Sequence, residues 1–310
     1  AINFILKNSN IKIDQIDYIV FYEKPFLKFE RLLETYLAFA PRGLKSFLMA
    51  IPLWLKEKLF QKKLILDSLN ESVGKIKKDT KIYFSEHHLS HAASAFYPSP
   101  FNEAIILTLD GVGEWTTTSV AIGNKNNIDI VKEIHFPHSL GLLYSAFTYY
   151  TGFEVNGGEY KLMGLAPYGT PKYKEIILDK LVNVRNDGSF QLNMKYFNYP
   201  VGLTMTNSNF SKLFGQPVRL PDAIIDKFHM DIAASIQKAT EEIVIKIVKS
   251  LKKKYNIDHL CLAGGVALNC VANGKIINQK IFKEVWIQPA AGDAGGSLGA
   301  ALALWHLELK

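Results

Sequence analysis

The residues of this chain best suited to chemistry are two histidines and two aspartates, each in a short motif. His87 and His91 stand four residues apart in the run His-His-Leu-Ser-His. On a helix this spacing places two imidazoles on one face, one turn apart, where they can share a metal ion. We expect His88 to point away from that face. Because such a pair also arises without any metal, a purely structural role stays open at this point.

The two aspartates, Asp110 and Asp293, both stand beside glycines. Asp110 ends a predicted apolar strand and is followed by Gly111 and Gly113. A carboxylate there can hold a cation while the nearby backbone N–H groups donate hydrogen bonds to phosphate oxygens. Asp293 comes shortly before a predicted helix. A tight β-hairpin at Asp110 and a helix N-cap at Asp293 are the alternatives that need no ligand.

A glycine pair, Gly264 and Gly265, connects a predicted buried strand to a predicted helix that begins near Ala267. Without side chains in the way, the backbone can come close to a nucleotide. The segment is neither a P-loop nor the dinucleotide motif G-x-G-x-x-G. A plain strand-to-helix connection is the alternative.

The segment 156–169 is rich in glycine and carries two charges, Glu159 and Lys161. We predict a long functional loop in which Lys161 meets a phosphate or carboxyl oxygen and Glu159 meets a hydroxyl. A surface ion pair between these two side chains is the alternative.

The zinc-peptidase motif His-Glu-x-x-His is excluded, because no glutamate lies between His87 and His91.

The elements that must position these residues alternate between helix and strand. Hydrophobic periodicity and turn residues predict a buried strand at 18–22, a helical excursion over 26–80, a strand at 81–85, a helix at 87–96 and a β-meander of strands at 104–110, 117–122 and 128–134. They also predict a helix at 139–151, an irregular stretch at 186–222, a long amphipathic helix through 232–251, strands at 259–263 and 284–288, and a helix at 297–307. The pattern is typical of an α/β protein with parallel strands near its end.

Composition limits the function classes. The net charge is +7 at pH 7, which suits phosphate-bearing ligands and tolerates RNA, although a solvated, lysine-rich helix face is the simpler explanation of any one lysine cluster. Cys261 and Cys270 form no metal-ligand or disulfide pattern, so we expect two small buried residues in a cytoplasmic protein. No apolar run reaches the length of a membrane span, and no membrane partner is expected.

Five motifs in this order resemble the O-carbamoyltransferases of nodulation-factor and antibiotic biosynthesis. They are His-His-Leu-Ser-His-Ala-Ala-Ser-Ala-Phe, Leu-Asp-Gly-Val-Gly-Glu, Gly-Glu-Tyr-Lys-Leu-Met-Gly-Leu-Ala-Pro-Tyr-Gly, Ala-Gly-Gly-Val-Ala-Leu-Asn and Pro-Ala-Ala-Gly-Asp-Ala-Gly-Gly-Ser-Leu-Gly-Ala-Ala. The resemblance extends from about Ile16 to the C-terminus and is loose over 26–80.

That resemblance implies an actin-like ATPase fold of two ribonuclease-H-like lobes, related to the enzyme that makes threonylcarbamoyladenosine in tRNA. We predict residues 1–100 as a partial first lobe, incomplete at its N-terminus, and residues 101–310 as the second lobe, with Pro98-Ser99-Pro100 at the boundary. By the same resemblance the metal, usually iron, is held by His87, His91, Asp110 and Asp293.

The resemblance also implies that ATP or carbamoyl adenylate lies against Gly264, Gly265 and Asn269, with Gly111 and Gly113 near its phosphates. The expected catalytic residues are Asp110, Glu159 and Lys161. Two histidines and two carboxylates suit Fe(II), Zn or Mn, of which the resemblance favours Fe(II).

The implied activity is transfer of a carbamoyl group from carbamoyl adenylate to the hydroxyl of a small-molecule acceptor. The family makes this adenylate from ATP and carbamoyl phosphate in a separate C-terminal domain, which is missing from this sequence, so we interpret the chain as a fragment. Two alternatives keep the fold: a tRNA-modifying carbamoyl-type transferase, although nucleic acid is not the expected partner, and a non-catalytic ATP-binding subunit. The sequence predicts neither the acceptor nor the oligomeric state.

Overall fold

The protein is a mixed α/β structure, seen in a computed structural model that describes residues 1–309 except for the side chains of 56–59. Nine strands are described: β1 Tyr18–Phe21, β2 Lys81–Phe84, β3 Glu103–Leu109, β4 Thr116–Asn124, β5 Asn127–His135, β6 Val182–Val184, β7 Phe190–Leu192, β8 His259–Ala263 and β9 Glu284–Ile287.

The described residues also form twelve α-helices. They are α1 Ile2–Asn8, α2 Pro25–Phe39, α3 Leu44–Leu59, α4 Gln61–Ser72, α5 His87–Phe96, α6 Leu140–Tyr150, α7 Glu159–Leu165, α8 Lys174–Ile176, α9 Ser208–Phe214, α10 Lys227–Tyr255, α11 Cys270–Asn278 and α12 Asp293–Ala303. None of the described helices is both long and apolar enough to cross a membrane.

A five-stranded sheet in the order β5-β4-β3-β8-β9 forms the centre of the molecule. β3, β4 and β5 are antiparallel neighbours, which confirms the predicted meander, and β3, β8 and β9 run parallel. Because side chains alternate along a strand, Ile105 and Leu107 enter one core while Ala104 and Ile106 enter another. The carboxyl ends of β3 and β8 lie together, and this is where Asp110 and Gly264 follow their strands.

The two faces of the sheet are covered by different helices. The larger core contains buried residues of α6, α7 and α10. On the other face, α5 and α12 pack against each other and against the smaller core, which is built mainly from alanines with Phe96. Such small side chains let helices approach closely. The resulting α5–α12 pair brings the first turn of each helix to one edge of the sheet.

Most of the predicted elements are confirmed, with α5, α6 and α10 close to their expected bounds. The predicted loop at 156–169 is wrong, because it contains α7 and a 3-10 turn over Ala166–Tyr168. The Glu159 carboxylate accepts the N–H groups of Asn156 and Gly158 at the start of α7, and Leu162 is buried beneath it. Gly157 and Gly158 precede α7, and Gly164 lies within it.

Smaller corrections concern burial and helix ends. β1 pairs in parallel with β2 alone, and no residue of it is fully buried, so the predicted buried strand is a partly exposed one. The stretch 186–222 contains β7 and α9. The last helix begins at Asp293 and not near 297. Cys261 is buried as expected, but Cys270 is exposed. The two-lobed actin-like architecture and the division at residue 100 stay predictions.

Candidate metal centre

The two histidines and two aspartates singled out from the sequence come together at one edge of the sheet. Each offers one ligand atom, and the four atoms of His87, His91, Asp110 and Asp293 lie within 4.8 Å of one another. The Nε2 atoms of the two histidines are 3.1 Å apart, and His87 Nε2 is 3.2 Å from Asp110 Oδ2. Asp293 Oδ1 lies 3.5 Å from His87 Nε2 and 3.6 Å from His91 Nε2.

Three elements supply these side chains. His87 and His91 project from one face of α5, as their spacing predicts, and Asp110 directly follows β3. Asp293 is the first residue of α12. Gly299 allows α12 to lie against α5, since a Cβ there would come within 1.7 Å of the Ser90 carbonyl oxygen. The close approach of these two helices sets the distance between the histidines and Asp293.

The carboxylate of Asp110 is fixed from two sides. Its Oδ1 accepts the Gly265 N–H at 2.9 Å, while Oδ2 faces His87. Burial alone would raise the pKa of Asp110, but the hydrogen bond from His87 and the charges of His91 and His87 outweigh it and hold that pKa well below its usual range. The candidate ligand Asp110 is therefore buried and ionised, and the turn after β8 holds its carboxylate in place.

The same cluster shifts the pKa values of the other ionisable groups at the site. The hydrogen bond with His91 lowers the pKa of Asp293. Burial opposes protonation of His87, yet its hydrogen bond to Asp110 and the surrounding carboxylates raise the pKa of the imidazole overall. Burial, Asp293 and Glu23 together raise the pKa of Tyr22 to about 12. The site concentrates negative charge in a buried place, which is an environment that favours a cation.

The residues present fit a divalent metal. The Nε2–Nε2 and Nε2–carboxylate distances of 3.1 to 3.6 Å resemble the spacing of about 3.0–3.5 Å between neighbouring ligands that bind a cation at about 2.0–2.2 Å. Two imidazoles and two carboxylates form a donor set that iron, zinc and manganese all accept. His88 is separate, because its Nδ1 is paired with Ser119 Oγ at 2.9 Å.

A cleft of about 700 Å³ opens beside this cluster. Asp110 and Asp293 line it, whereas His87 and His91 lie behind them. Its walls combine glycines with apolar side chains, among them Leu142, Val266, Leu268, Tyr160 and Met163. The cleft has the size and the mixed polarity of a small-molecule site, with the cluster at one end.

The predicted nucleotide-binding glycines divide into two groups. Gly111 and Gly265 line the cleft. There is open space beside Gly111, because the nearest atom to a Cβ added there would be one of Leu142 at 4.0 Å. Gly113 and Gly264 do not line it. A Cβ added to Gly113 would lie 2.9 Å from the Cβ of His87. Gly264 has a φ of +86° and packs against the backbone of Leu109. These two glycines permit close packing behind the site.

Asn269 lines the cleft, but its amide is already committed within the protein. It exchanges hydrogen bonds with Gln237, donating to Oε1 at 2.9 Å and accepting from Nε2 at 3.1 Å. Its Oδ1 also caps α11 by accepting the Ala272 N–H. Tyr144 O–H donates to the same Gln237 oxygen. Asn269 therefore ties the turn after β8 to α10, and shapes this wall of the cleft.

Glu159 and Lys161 are placed differently. Glu159 lines the cleft, and its Oε1 accepts the Ser145 hydroxyl at 2.7 Å. Lys161 is exposed, with Nζ 5.9 Å from the centre of the Tyr160 ring, and is not among the residues lining the cleft. No ion pair joins the two within the part of the chain that the structure describes.

Sequence reasoning missed Glu114, Arg31 and Glu23, which surround His87. Glu114 accepts the His87 backbone N–H, Arg31 donates to the Gly113 carbonyl oxygen at 2.8 Å, and Glu23 Oε2 lies 4.0 Å from His87 Nδ1. Glu114 ends a motif already singled out for Asp110, so its position was a usable signal. Nothing in the helical excursion marks Arg31, because its partner is brought near only by folding.

Comparison with known proteins gives the family. Residues 1–302 match the family model described as Carbamoyltransferase N-terminus. The chain is 59% identical over its full length to the uncharacterized protein sll1178 of Synechocystis, covering 51% of that protein. It is 33% identical over 98% of its length to the nodulation protein NolNO of Sinorhizobium fredii, covering 41% of it.

Similarity to solved structures is weaker. The (R)-2-hydroxyglutaryl-CoA dehydratase component A of Acidaminococcus fermentans is 20% identical with a TM-score of 0.39, over 76% of this chain and 71% of that one. This score is too low to define the fold. The chain spans about half the length, or less, of the two curated relatives above. From the match of the family model over nearly its whole length, the chain belongs to the carbamoyltransferase family.

Proposed function

We propose that this chain is the transfer part of a carbamoyltransferase, moving a carbamoyl group from carbamoyl adenylate to a substrate hydroxyl beside a divalent metal. One observation carries the proposal: the four candidate ligands converge at the end of a cleft of about 700 Å³ in a chain of this family. The resemblance of its motifs to O-carbamoyltransferases supplies the donor and the class of acceptor.

The metal is assigned to His87, His91, Asp110 and Asp293. When bound there, a divalent cation supplies Lewis-acid polarisation of a carbamoyl or phosphate oxygen. The chain's own part is to hold these ligands in place before substrate arrives. Asp110 is pinned by the Gly265 N–H, and Asp293 is fixed by the packing of α12 on α5. Prior placement of this kind removes a reorganisation cost from the reaction.

The cleft is suited to a nucleotide-bearing donor. Its apolar wall, formed by Leu142, Val266 and Leu268, offers contact area for a ring, and Gly111 leaves room for a phosphate beside the carboxylates. A cation at the cluster would offset the repulsion between a phosphate and those carboxylates. We therefore place the phosphate end of carbamoyl adenylate towards Asp110 and its base towards the mouth.

In the proposed transfer, the acceptor oxygen attacks the carbamoyl carbon and forms the new C–O bond. The bond between that carbon and the phosphate oxygen breaks, and AMP leaves with its electron pair. The hydroxyl proton must go to a base. Glu159 is the one carboxylate among the lining residues that does not belong to the metal cluster, so we assign it this role. Lys161 as a catalytic residue stays a prediction.

A direct assay uses synthetic carbamoyl adenylate with glycerol or glucose as hydroxyl probes. Metal-loaded protein should release AMP and form a carbamate, and the double substitution His87→Ala plus His91→Ala should abolish both. Glu159→Gln should lower the rate by roughly 10²–10⁴-fold, the usual contribution of a general base. Glu175→Gln is the matched control, because that carboxylate is 80% exposed, pairs with Lys174 and does not line the cleft. Undiminished transfer by the double histidine variant would contradict the proposal.

A further inference from the structure

The first turn of α5 is anchored by a carboxylate from another part of the chain. Glu86, at its N-cap, makes no capping hydrogen bond with its side chain. Instead both carboxylate oxygens of Glu114 lie 3.1 Å from the His87 backbone nitrogen. A negative group at a helix N-terminus satisfies N–H groups that have no partner within the helix and interacts favourably with the helix dipole.

The same carboxylate anchors a second helix. Glu114 Oε1 accepts the Lys24 N–H at 2.7 Å, and Lys24 is the N-cap of α2. Glu114 is 7% exposed, so its charge has lost most of its water and depends on these N–H donors. One buried carboxylate therefore joins the starts of α2 and α5, two helices distant in sequence.

The turn that carries Glu114 is also held against His87. Gly113 packs on the His87 side chain so closely that a Cβ would come within 2.9 Å of it. The buried Arg31 of α2 donates to the Gly113 carbonyl oxygen at 2.8 Å, and Gly113 N–H bonds to the Thr116 carbonyl oxygen at 2.9 Å. The backbone and the side chain of His87 are thus both held by residues 113–114.

We propose that Glu114 is a positioning residue that fixes where His87 presents its imidazole to the metal. The inference rests on the metal site of the proposed function. Among the four ligands His87 depends most on this anchor. Asp110 is held by β3 and Gly265, and His91 lies one turn further along α5. Loss of the anchor should therefore displace one ligand and leave the other three in place.

The test is Co(II) binding, followed by titration and by the visible absorption spectrum, which reports ligand geometry. Glu114→Gln keeps the side-chain size but replaces one accepting oxygen with an NH₂ group. It should weaken Co(II) binding by roughly 10-fold to 100-fold, the usual effect of losing a partner that orients a ligand, and shift the spectrum. Glu86→Gln is the matched control, because it removes a carboxylate at the same helix end that does not accept the His87 N–H.

The same substitution in a His87→Ala background separates positioning from general destabilisation. If Glu114 acts through His87, Glu114→Gln should cause no further loss of affinity there. Equal losses in both backgrounds, or wild-type affinity and spectrum in Glu114→Gln, would overturn the inference. If Glu114→Gln does not fold, Glu114→Asp keeps the charge with a shorter reach, and the same comparisons apply. Wild-type protein that binds no Co(II) would instead contradict the metal site itself.

Discussion

The residues before His87 and those from His87 onward are built in opposite ways. From His87 onward, two clusters of buried apolar residues cover both faces of the five-stranded sheet. Before His87, Leu69 and Pro25 are the buried apolar residues among the side chains described, while Glu23, Arg31, Thr35 and Ser46 are buried polar residues. Several apolar residues of α3 are exposed instead, with Leu48 and Met49 more than 60% exposed.

The two parts therefore have different roles in the protein. The sheet and its helices supply stability and all four candidate ligands. The earlier segment adds little to the core, but its Glu23, Lys24 and Arg31 lie against His87, Glu114 and Gly113 beside the candidate metal site. Substitutions in the first part should therefore affect metal binding more than stability, and substitutions in the second part should affect both.

The largest contrast should appear in stability. Leu107 is fully buried in the larger core, so Leu107→Ala should lower the free energy of unfolding by about 2–5 kcal/mol. Leu48 in α3 is 63% exposed, and Leu48→Ala should change it by less than about 0.5 kcal/mol. Urea denaturation followed by circular dichroism measures both. Similar losses of stability for the two variants would mean that Leu48 is buried in solution.

The α5–α12 contact should be nearly as sensitive. A Cβ at Gly299 would collide with the Ser90 carbonyl oxygen, so Gly299→Ala should cost roughly 1–3 kcal/mol and move Asp293 away from the histidines. Gly274 in α11 has nothing within 4 Å, and Gly274→Ala should stabilise the protein by about 0.5–1 kcal/mol. Thermal unfolding and metal titration of both variants check this. Unchanged metal affinity in Gly299→Ala would show that Asp293 does not depend on this packing.

The pH dependence of folding stability should distinguish His88 from His87 and His91. Burial lowers the pKa of His88 to about 3, below the ordinary value of 6.5. The neutral form is favoured in the folded state, so its contribution to stability is present above pH 6.5 and is lost as the pH falls towards 3. In chelator-treated protein, His88→Asn should therefore flatten the decline of the melting temperature across this window. A decline as steep as in the wild-type protein would contradict the lowered pKa of His88.

The smallest effect is expected at the surface pair Lys24–Glu86. Its atoms are 2.7 Å apart, but the side chains are 39% and 49% exposed. Glu86→Gln should change the free energy of unfolding by under about 1 kcal/mol, and the change should vanish in high salt. Chemical denaturation at two salt concentrations tests this. A large, salt-independent loss would mean that Glu86 supports α5 in the way assigned here to Glu114.

The sequence predicted what local pattern determines. The i, i+4 spacing of His87 and His91 implied α5, and the position of Asp110 after an apolar strand implied a carboxylate at a sheet edge. It failed where long-range contacts decide. The glycines before Glu159 suggested a loop, but α7 begins at Glu159 and packs against α10, which lies far along the chain. The burial of Arg31 and the dual role of Glu114 depend on elements far apart in the chain, which no local pattern records.

The central claim is that His87, His91, Asp110 and Asp293 bind one divalent metal. The most direct measurement is a crystal structure of cobalt-loaded protein with anomalous differences collected at the cobalt edge. We predict one strong peak among the Nε2 atoms of the two histidines and the carboxylate oxygens of the two aspartates, at about 2.0–2.2 Å from each. A peak at His88 or elsewhere, or no peak at these four residues, would contradict it.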